Sequence, residues 1–206
     1  MEDADTPQIY LITPPEIELS RFPGDLDAVL QAHDVACVRL ALSTHDEAEL
    51  SRVADACRDV THARDVALVI ETHFVLAERL GLDGVHLLDG ARQVRAARKA
   101  LGADAIVGSF CGNSRHDGIS AGEAGADYIS FGPAGVSALG DGRQAEADLF
   151  AWWSEMIEVP VVAEGAIDAS TIAQLSDITD FFGIGVEIWG TDDPVEALSA
   201  VKTAMG

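Results

Sequence analysis

Along the chain, short runs that are apolar at nearly every position alternate with longer stretches in which apolar residues return every three or four positions. The short runs read as strands: Ile9–Thr13, Ala36–Leu40, Val66–Ile70, Gly84–Leu87, Ala105–Ser109, Tyr128–Phe131, Val159–Ala163 and Phe182–Ile188. Because they do not alternate apolar with polar, they are expected to be buried on both faces, as in a parallel sheet covered by helices. The longer stretches predict helices over Asp25–His33, Asp46–Ala63, His73–Leu80, Ala91–Leu101, Asp117–Ala124, Glu146–Ile157, Ser170–Ser176 and Asp193–Met205.

Several helix starts are written locally. Ser43-Thr44-His45-Asp46 and Asp168-Ala169-Ser170 each precede a helix and offer side-chain oxygens to its free N–H groups. Asp192-Asp193-Pro194 opens the last helix with acids and a proline in the first turn. No linker or low-complexity segment divides the sequence, so strand followed by helix, repeated eight times, predicts one (β/α)8 TIM barrel over residues 1–206. The alternative, a doubly wound sheet, would use fewer strands and a glycine-rich phosphate loop after the first. Thr13-Pro14-Pro15-Glu16 stands there instead, which favours the barrel.

Composition narrows the partners. Thirteen basic against 35 acidic residues leave a net charge of −22, which repels nucleic-acid phosphates and anionic lipid, so neither is expected as a partner. The charge reads as a device for solubility. Cys37, Cys57 and Cys111 form no CxxC pair, which speaks against a disulfide framework or structural zinc and for a reducing compartment. Met1-Glu2-Asp3-Ala4-Asp5 is acidic where a secretory signal is basic, and no apolar stretch approaches the ~20 residues of a membrane span. A cytoplasmic location is the expectation.

A TIM barrel builds its site from the C-terminal ends of the strands and the loops that follow. Here those places hold Thr13, Arg39, Glu71, His86, Asp89, Ser109, Gly132, Glu164, Gly165, Gly185 and Glu187, with Cys111-Gly112-Asn113-Ser114-Arg115-His116 after the fifth strand. Each has a plain structural alternative. His86 suits an internal hydrogen bond in the barrel mouth, and His116 is either a site imidazole or an ordinary first-turn residue. Gly165 and Gly185 either let a backbone approach a phosphate or relieve crowding at the rim. Glu71 and His73 read better as a solvated loop than as a metal pair, and Trp152-Trp153 as helix packing or an oligomer contact.

In order along the strands, Tyr10-Leu11-Ile12-Thr13, Asp83-Gly84-Val85-His86-Leu87, Ile106-Val107-Gly108-Ser109, Gly125-Ala126-Asp127-Tyr128 with Phe131-Gly132-Pro133, Pro160-Val161-Val162-Ala163 with Gly165, and Ile188-Trp189 before Asp192-Asp193-Pro194 form a set. Taken together they resemble the thiamine phosphate synthase and TenI family over nearly the whole length. The resemblance implies the family reaction, in which a thiazole phosphate nitrogen displaces pyrophosphate from hydroxymethylpyrimidine pyrophosphate. That chemistry implies magnesium, cations for the leaving group and donors for the retained phosphate. It also implies a small-molecule substrate, a thiazole or pyrimidine precursor of thiamine, and leaves a homo-oligomer open.

The chain departs from that pattern at the chemistry. The family's Gln-Leu-Arg-x-Lys reads Arg39-Leu40-Ala41-Leu42-Ser43, its Asn-Asp reads Glu71-Thr72, and its Gly-Gln-x-Asp reads Leu88-Asp89-Gly90-Ala91. The Thr-x-Thr-Lys loop after the sixth strand has become Ala134 to Gly142 followed by Arg143, and carboxylates Glu164 and Glu187 stand where the family binds phosphate. The resemblance therefore assigns Arg39, Arg115, His116 and Arg143 as catalytic candidates. It assigns Thr13, His86, Ser109, Gly132, Glu164, Gly165, Gly185 and Glu187 to substrate, and Glu71 and Asp89 to magnesium if the chain is active. A diverged member with reduced or altered activity is expected, or a non-catalytic accessory of thiamine metabolism. A scaffold without any small-molecule site is favoured by charge alone.

Overall fold

The protein is described here by a computed structural model covering residues 6–206, so the acidic stretch Met1–Asp5 lies outside the described residues. Eight parallel strands close into a barrel in sequence order: β1 (Gln8–Ile12), β2 (Cys37–Leu40), β3 (Ala67–Glu71), β4 (Gly84–Leu87), β5 (Ile106–Phe110), β6 (Tyr128–Phe131), β7 (Val161–Glu164) and β8 (Phe181–Ile184). Closure is carried by β1, where Tyr10 lies opposite Cys37 of β2 on one side and Gly183 of β8 on the other. Around the barrel run α1 (Phe22–Ala32), α2 (Glu47–His62), α3 (Phe74–Leu80), α4 (Val94–Leu101), α5 (Arg115–Ala124), α6 (Ala147–Met156), α7 (Ala169–Leu175), α8 (Val186–Trp189) and α9 (Pro194–Met205).

The local start signals work as their chemistry suggests. Asp46 accepts the Glu49 N–H at 2.7 Å, Asp168 that of Thr171 at 2.8 Å and Asp193 that of Glu196 at 3.0 Å, with Pro194 in the first turn of α9. One boundary differs. The eighth strand, expected to reach Ile188, ends at Ile184, and after Gly185 the chain curls into the single turn α8. The carboxylate of Glu187 reaches back to the Gly185 N–H at 2.8 Å, and the Trp189 indole donates to the Ile12 carbonyl at 2.8 Å, fixing that turn over β1.

Strand alternation sorts side chains into two cores. Outward residues such as Leu11, Val38, Leu68, Leu87 and Phe182 pack beneath the helices, joined by Leu26, Val53, Phe150 and Trp153. Trp153 is buried and donates its indole N–H to the Val159 carbonyl at 2.7 Å, so the packing role expected of α6 holds for this residue. Inward residues Tyr10, Cys37, Val69, Tyr128 and Val162 fill the barrel itself. The Tyr128 ring lies across Gly108, where a Cβ would stand 2.0 Å from ring carbon, so that position admits no side chain. Among the described residues, no helix is long and apolar enough to cross a membrane.

Candidate active site at the barrel mouth

Above the inner apolar layer, at the C-terminal ends of β2, β3, β4 and β7, the inward positions become polar. Arg39, His86 and Glu164 are all at most 3% exposed. Arg39 grips Glu164 with both arms, Nη1 to Oε1 at 3.1 Å and Nη2 to Oε2 at 2.5 Å, the fork geometry that suits guanidinium to carboxylate. Its Nε lies 3.1 Å from Glu71 Oε1, close enough for ionic attraction but not aligned as a hydrogen bond. Arg39 Nη1 also donates to His86 Nε2 at 2.8 Å.

That last contact fixes the state of His86. A guanidinium only donates, so Nε2 must be the acceptor and the ring proton sits on Nδ1. Nδ1 then donates to the Tyr128 hydroxyl at 2.9 Å, and Tyr128 and Tyr10 share a bond of 2.6 Å. A continuous polar chain thus descends from the mouth into the barrel. Burial, and then the charge of Arg39, hold His86 well below its ordinary value, so it stays neutral. Burial opposes the charge on Arg39, but Glu164, Tyr10 and Glu71 outweigh it and hold the guanidinium firmly protonated. Glu71 is raised by burial, with Arg39 pulling it down and Glu164 pushing it up. Burial raises both tyrosines well above their usual value.

A second region lies off the axis. A groove of about 820 Å³ runs between the loops after β4, β5 and β6, lined by Asp89, Phe110, Asn113, His116, Asp117 and Arg143 among others. Asp89 accepts from Gln93 at 2.9 Å through Oδ2, while Oδ1 is buried with no partner. Arg143, largely exposed, folds back on Asp141 with Nε to Oδ2 at 2.7 Å. His116 occupies the second position of α5, whose cap is Ser114, and faces solvent along this groove.

The remaining candidates are held by the protein itself. Thr13 accepts the Ala41 N–H at 3.0 Å, tying β1 to the end of β2. Ser109 points away from the barrel axis and donates to the Gly90 carbonyl at 2.8 Å. Arg115 is not brought to the mouth: its guanidinium stacks 4.7 Å over the Trp152 ring between α5 and α6. A Cβ on Gly132 would stand 2.5 Å from the Glu164 carbonyl, one on Gly165 2.9 Å from Leu139, and one on Gly185 3.0 Å from the Ile12 carbonyl. These glycines relieve crowding against protein.

The structure also reveals participants that strand-end reading passed over. Tyr10 and Tyr128 were motif letters in the sequence, yet they complete the polar chain under His86. The available signal was parity: both share the inward phase of Arg39 and His86.

Magnesium fits this arrangement incompletely. Mg²⁺ favours one or two carboxylates with water and substrate phosphate oxygens. The orphan Oδ1 of Asp89 is a suitable donor, but Glu71 faces the Arg39 guanidinium, and the described residues hold no cluster of three metal-ligating side chains.

Comparison with known proteins bears on this mouth. A family model described as thiamine monophosphate synthase matches residues 9–184. The thiamine-phosphate synthase of Rhodospirillum centenum is 40% identical over 186 residues, covering 88% of this chain and 89% of that one. The thiamine-phosphate synthase of Erythrobacter litoralis is 36% identical over 200 residues, covering 94% and 93%. Among solved structures, thiamine phosphate pyrophosphorylase from Pyrococcus furiosus superposes with a TM-score of 0.83 at 19% identity, over 98% of this chain and 96% of that one, a likeness of fold. The chain belongs to the thiamine monophosphate synthase family.

Proposed function

We propose that this chain is a diverged member of its family, which takes a thiazole or pyrimidine precursor of thiamine at the barrel mouth and couples the two weakly or in altered form. One observation carries the reading: Arg39, the buried cation of the mouth, is already engaged by Glu164, Glu71 and His86. A leaving pyrophosphate needs cations that are free to receive it as charge develops, and removing one such preorganised group costs about 10²–10³ in rate. Arg143 is exposed and paired with Asp141, and Arg115 lies against Trp152, so neither replaces it. The off-axis groove offers the ligand surface, and Asp89 in its wall would accept the exocyclic N–H of a pyrimidine once its buried Oδ1 is uncovered. Magnesium, if used, would be held by Asp89 together with substrate oxygens.

The test is pyrophosphate release from hydroxymethylpyrimidine pyrophosphate and thiazole phosphate with magnesium. The comparison is a relative that keeps the Gln-Leu-Arg-x-Lys sequence. Turnover at least ~10²-fold lower is expected. Equal turnover, surviving Asp89→Ala and Glu71→Ala, would return the chain to the ordinary synthases. If coupling is nil while calorimetry shows thiazole binding, the chain is the non-catalytic accessory.

A further inference from the structure

Barrels of this kind commonly receive a phosphate between the loops after the seventh and eighth strands, where backbone N–H groups converge. In this chain two such N–H groups converge there and already have an anion between them. Glu187 accepts the Ile167 N–H, from the loop after β7, through Oε1 at 3.1 Å, and the Gly185 N–H, directly after β8, through Oε2 at 2.8 Å. Ile167 and Gly185 are both buried. Neither donor has a backbone carbonyl partner, so the carboxylate is their acceptor. No Lys or Arg forms an ion pair with Glu187 among the described residues.

We propose that Glu187 is a specificity-determining residue: its carboxylate fills the backbone cradle between the β7 and β8 loops, so the mouth rejects a phosphate monoester there and takes a ligand that is neutral at that end. This deepens, and rests on, the reading of a diverged synthase. The physical ground is substitution of like for like. A carboxylate presents two oxygens to two N–H donors much as a phosphate does, and it is tethered two residues from one of them. A free phosphate would have to displace it, leaving an unpaired carboxylate beside a dianion, which like-charge repulsion opposes. Glutamine in its place keeps one acceptor oxygen but turns an N–H₂ toward the second donor, so it both removes the charge and loosens the seat.

The experiment titrates the full chain with inorganic phosphate, following the amide resonances of Ile167 and Gly185. The wild type is expected to show no saturable shift at millimolar phosphate. Glu187→Ala, whose fold is checked by circular dichroism, is expected to show saturable shifts of both amides, with at least tenfold tighter phosphate binding. Glu187→Gln should lie between them and serves if the alanine variant does not fold. Wild-type binding equal to that of the variants, or folded variants whose two amides do not respond, would overturn the proposal. Coupling activity is scored separately: a wild type that couples well sinks the diverged reading and the neutral ligand with it, whereas the two amides alone decide whether Glu187 fills the cradle.

Discussion

The axis of the barrel and the groove beside it are both polar, yet they are polar in opposite ways. On the axis a chain of buried groups is paired, Arg39 with Glu164 and His86, His86 with Tyr128, and Tyr128 with Tyr10, although Arg39 Nε and Ser130 Oγ make no hydrogen bond. In the groove the acceptor Asp89 Oδ1 has no partner, and His116 and Arg143 face solvent. A largely paired buried network fixes one arrangement of the core, whereas a groove lined by exposed polar side chains is accessible to a ligand. The strand ends that the family resemblance assigns to catalysis are therefore divided here. In the diverged reading proposed above, those on the axis serve structure and those beside it face the ligand.

The largest effect that would break this contrast comes from Arg39. If the axis is structural, Arg39→Met leaves Glu164 buried beside a neutral His86, and an uncompensated buried carboxylate costs about 3–5 kcal/mol. Urea denaturation should show that loss, and Arg39→Met combined with Glu164→Leu should regain much of it, because the pair is then replaced by apolar groups of similar size. If the double variant loses as much as the two single losses summed, the two residues are not a pair in the sense drawn above.

A smaller effect comes from protons. His86 is held neutral in the folded chain, well below the ordinary 6.5, while the unfolded chain takes up a proton near that value. Between the two, the unfolded state binds more protons, so stability is complete above about pH 6.5 and is lost as pH falls toward the depressed value, with a slope of at most about 1.4 kcal/mol per pH unit. Glu71 acts oppositely. Its folded value is raised above 4.5, so from there upward the folded state holds the extra proton and stability declines with rising pH until the raised value is passed. Denaturation between pH 7.5 and 5.5 follows the His86 limb, and comparison with a His86 variant separates it from any other group that titrates there. His86→Asn should flatten that slope whatever it does to stability at pH 7.5, and an unchanged slope would remove His86 from the network's titration.

Much of this was legible in the sequence, for physical reasons that also mark where legibility stopped. Strands buried on both faces leave continuous apolar runs, so all eight were found to within a few residues, and the caps Asp46, Asp168 and Asp193 announced their helices. Strand-end position also singled out Arg39, Glu71, His86 and Glu164. What position alone does not give is who faces whom across a closed barrel, because that depends on register and depth. Arg39 thus read as a substrate cation, although Glu164, 125 residues away in sequence, holds it. Arg115 lies where sequence position does not place it. Ser114 sets the phase of α5, and the first helical residue then turns toward Trp152 on the outside. The expected eighth strand overran because Val186, Ile188 and Trp189 continue its apolar run, while the turn is made by Gly185 and the Glu187 carboxylate.

The smallest effect on stability should come from the groove, and it sharpens the contrast most. Asp89 holds only Gln93 through Oδ2, at 2.9 Å, while its other oxygen is buried without a partner. Asp89→Ala removes one partly buried hydrogen bond and at the same time relieves an unsatisfied acceptor, so the two terms offset and the change should lie within about ±0.5 kcal/mol. Binding should behave otherwise. A hydrogen bond to a charged acceptor contributes about 1.5–3 kcal/mol, so a heterocycle that donates an N–H to Asp89 should bind at least tenfold more weakly to Asp89→Ala. Hydroxymethylpyrimidine, whose exocyclic amino group donates an N–H, titrated calorimetrically into wild type and variant beside thiazole, which has no N–H to donate, makes the measurement. A variant that loses stability like Arg39→Met would place Asp89 with the structural network. If neither ligand distinguishes the variant from wild type while the wild type binds one of them, the ligand sits elsewhere in the mouth and Asp89 is not its acceptor.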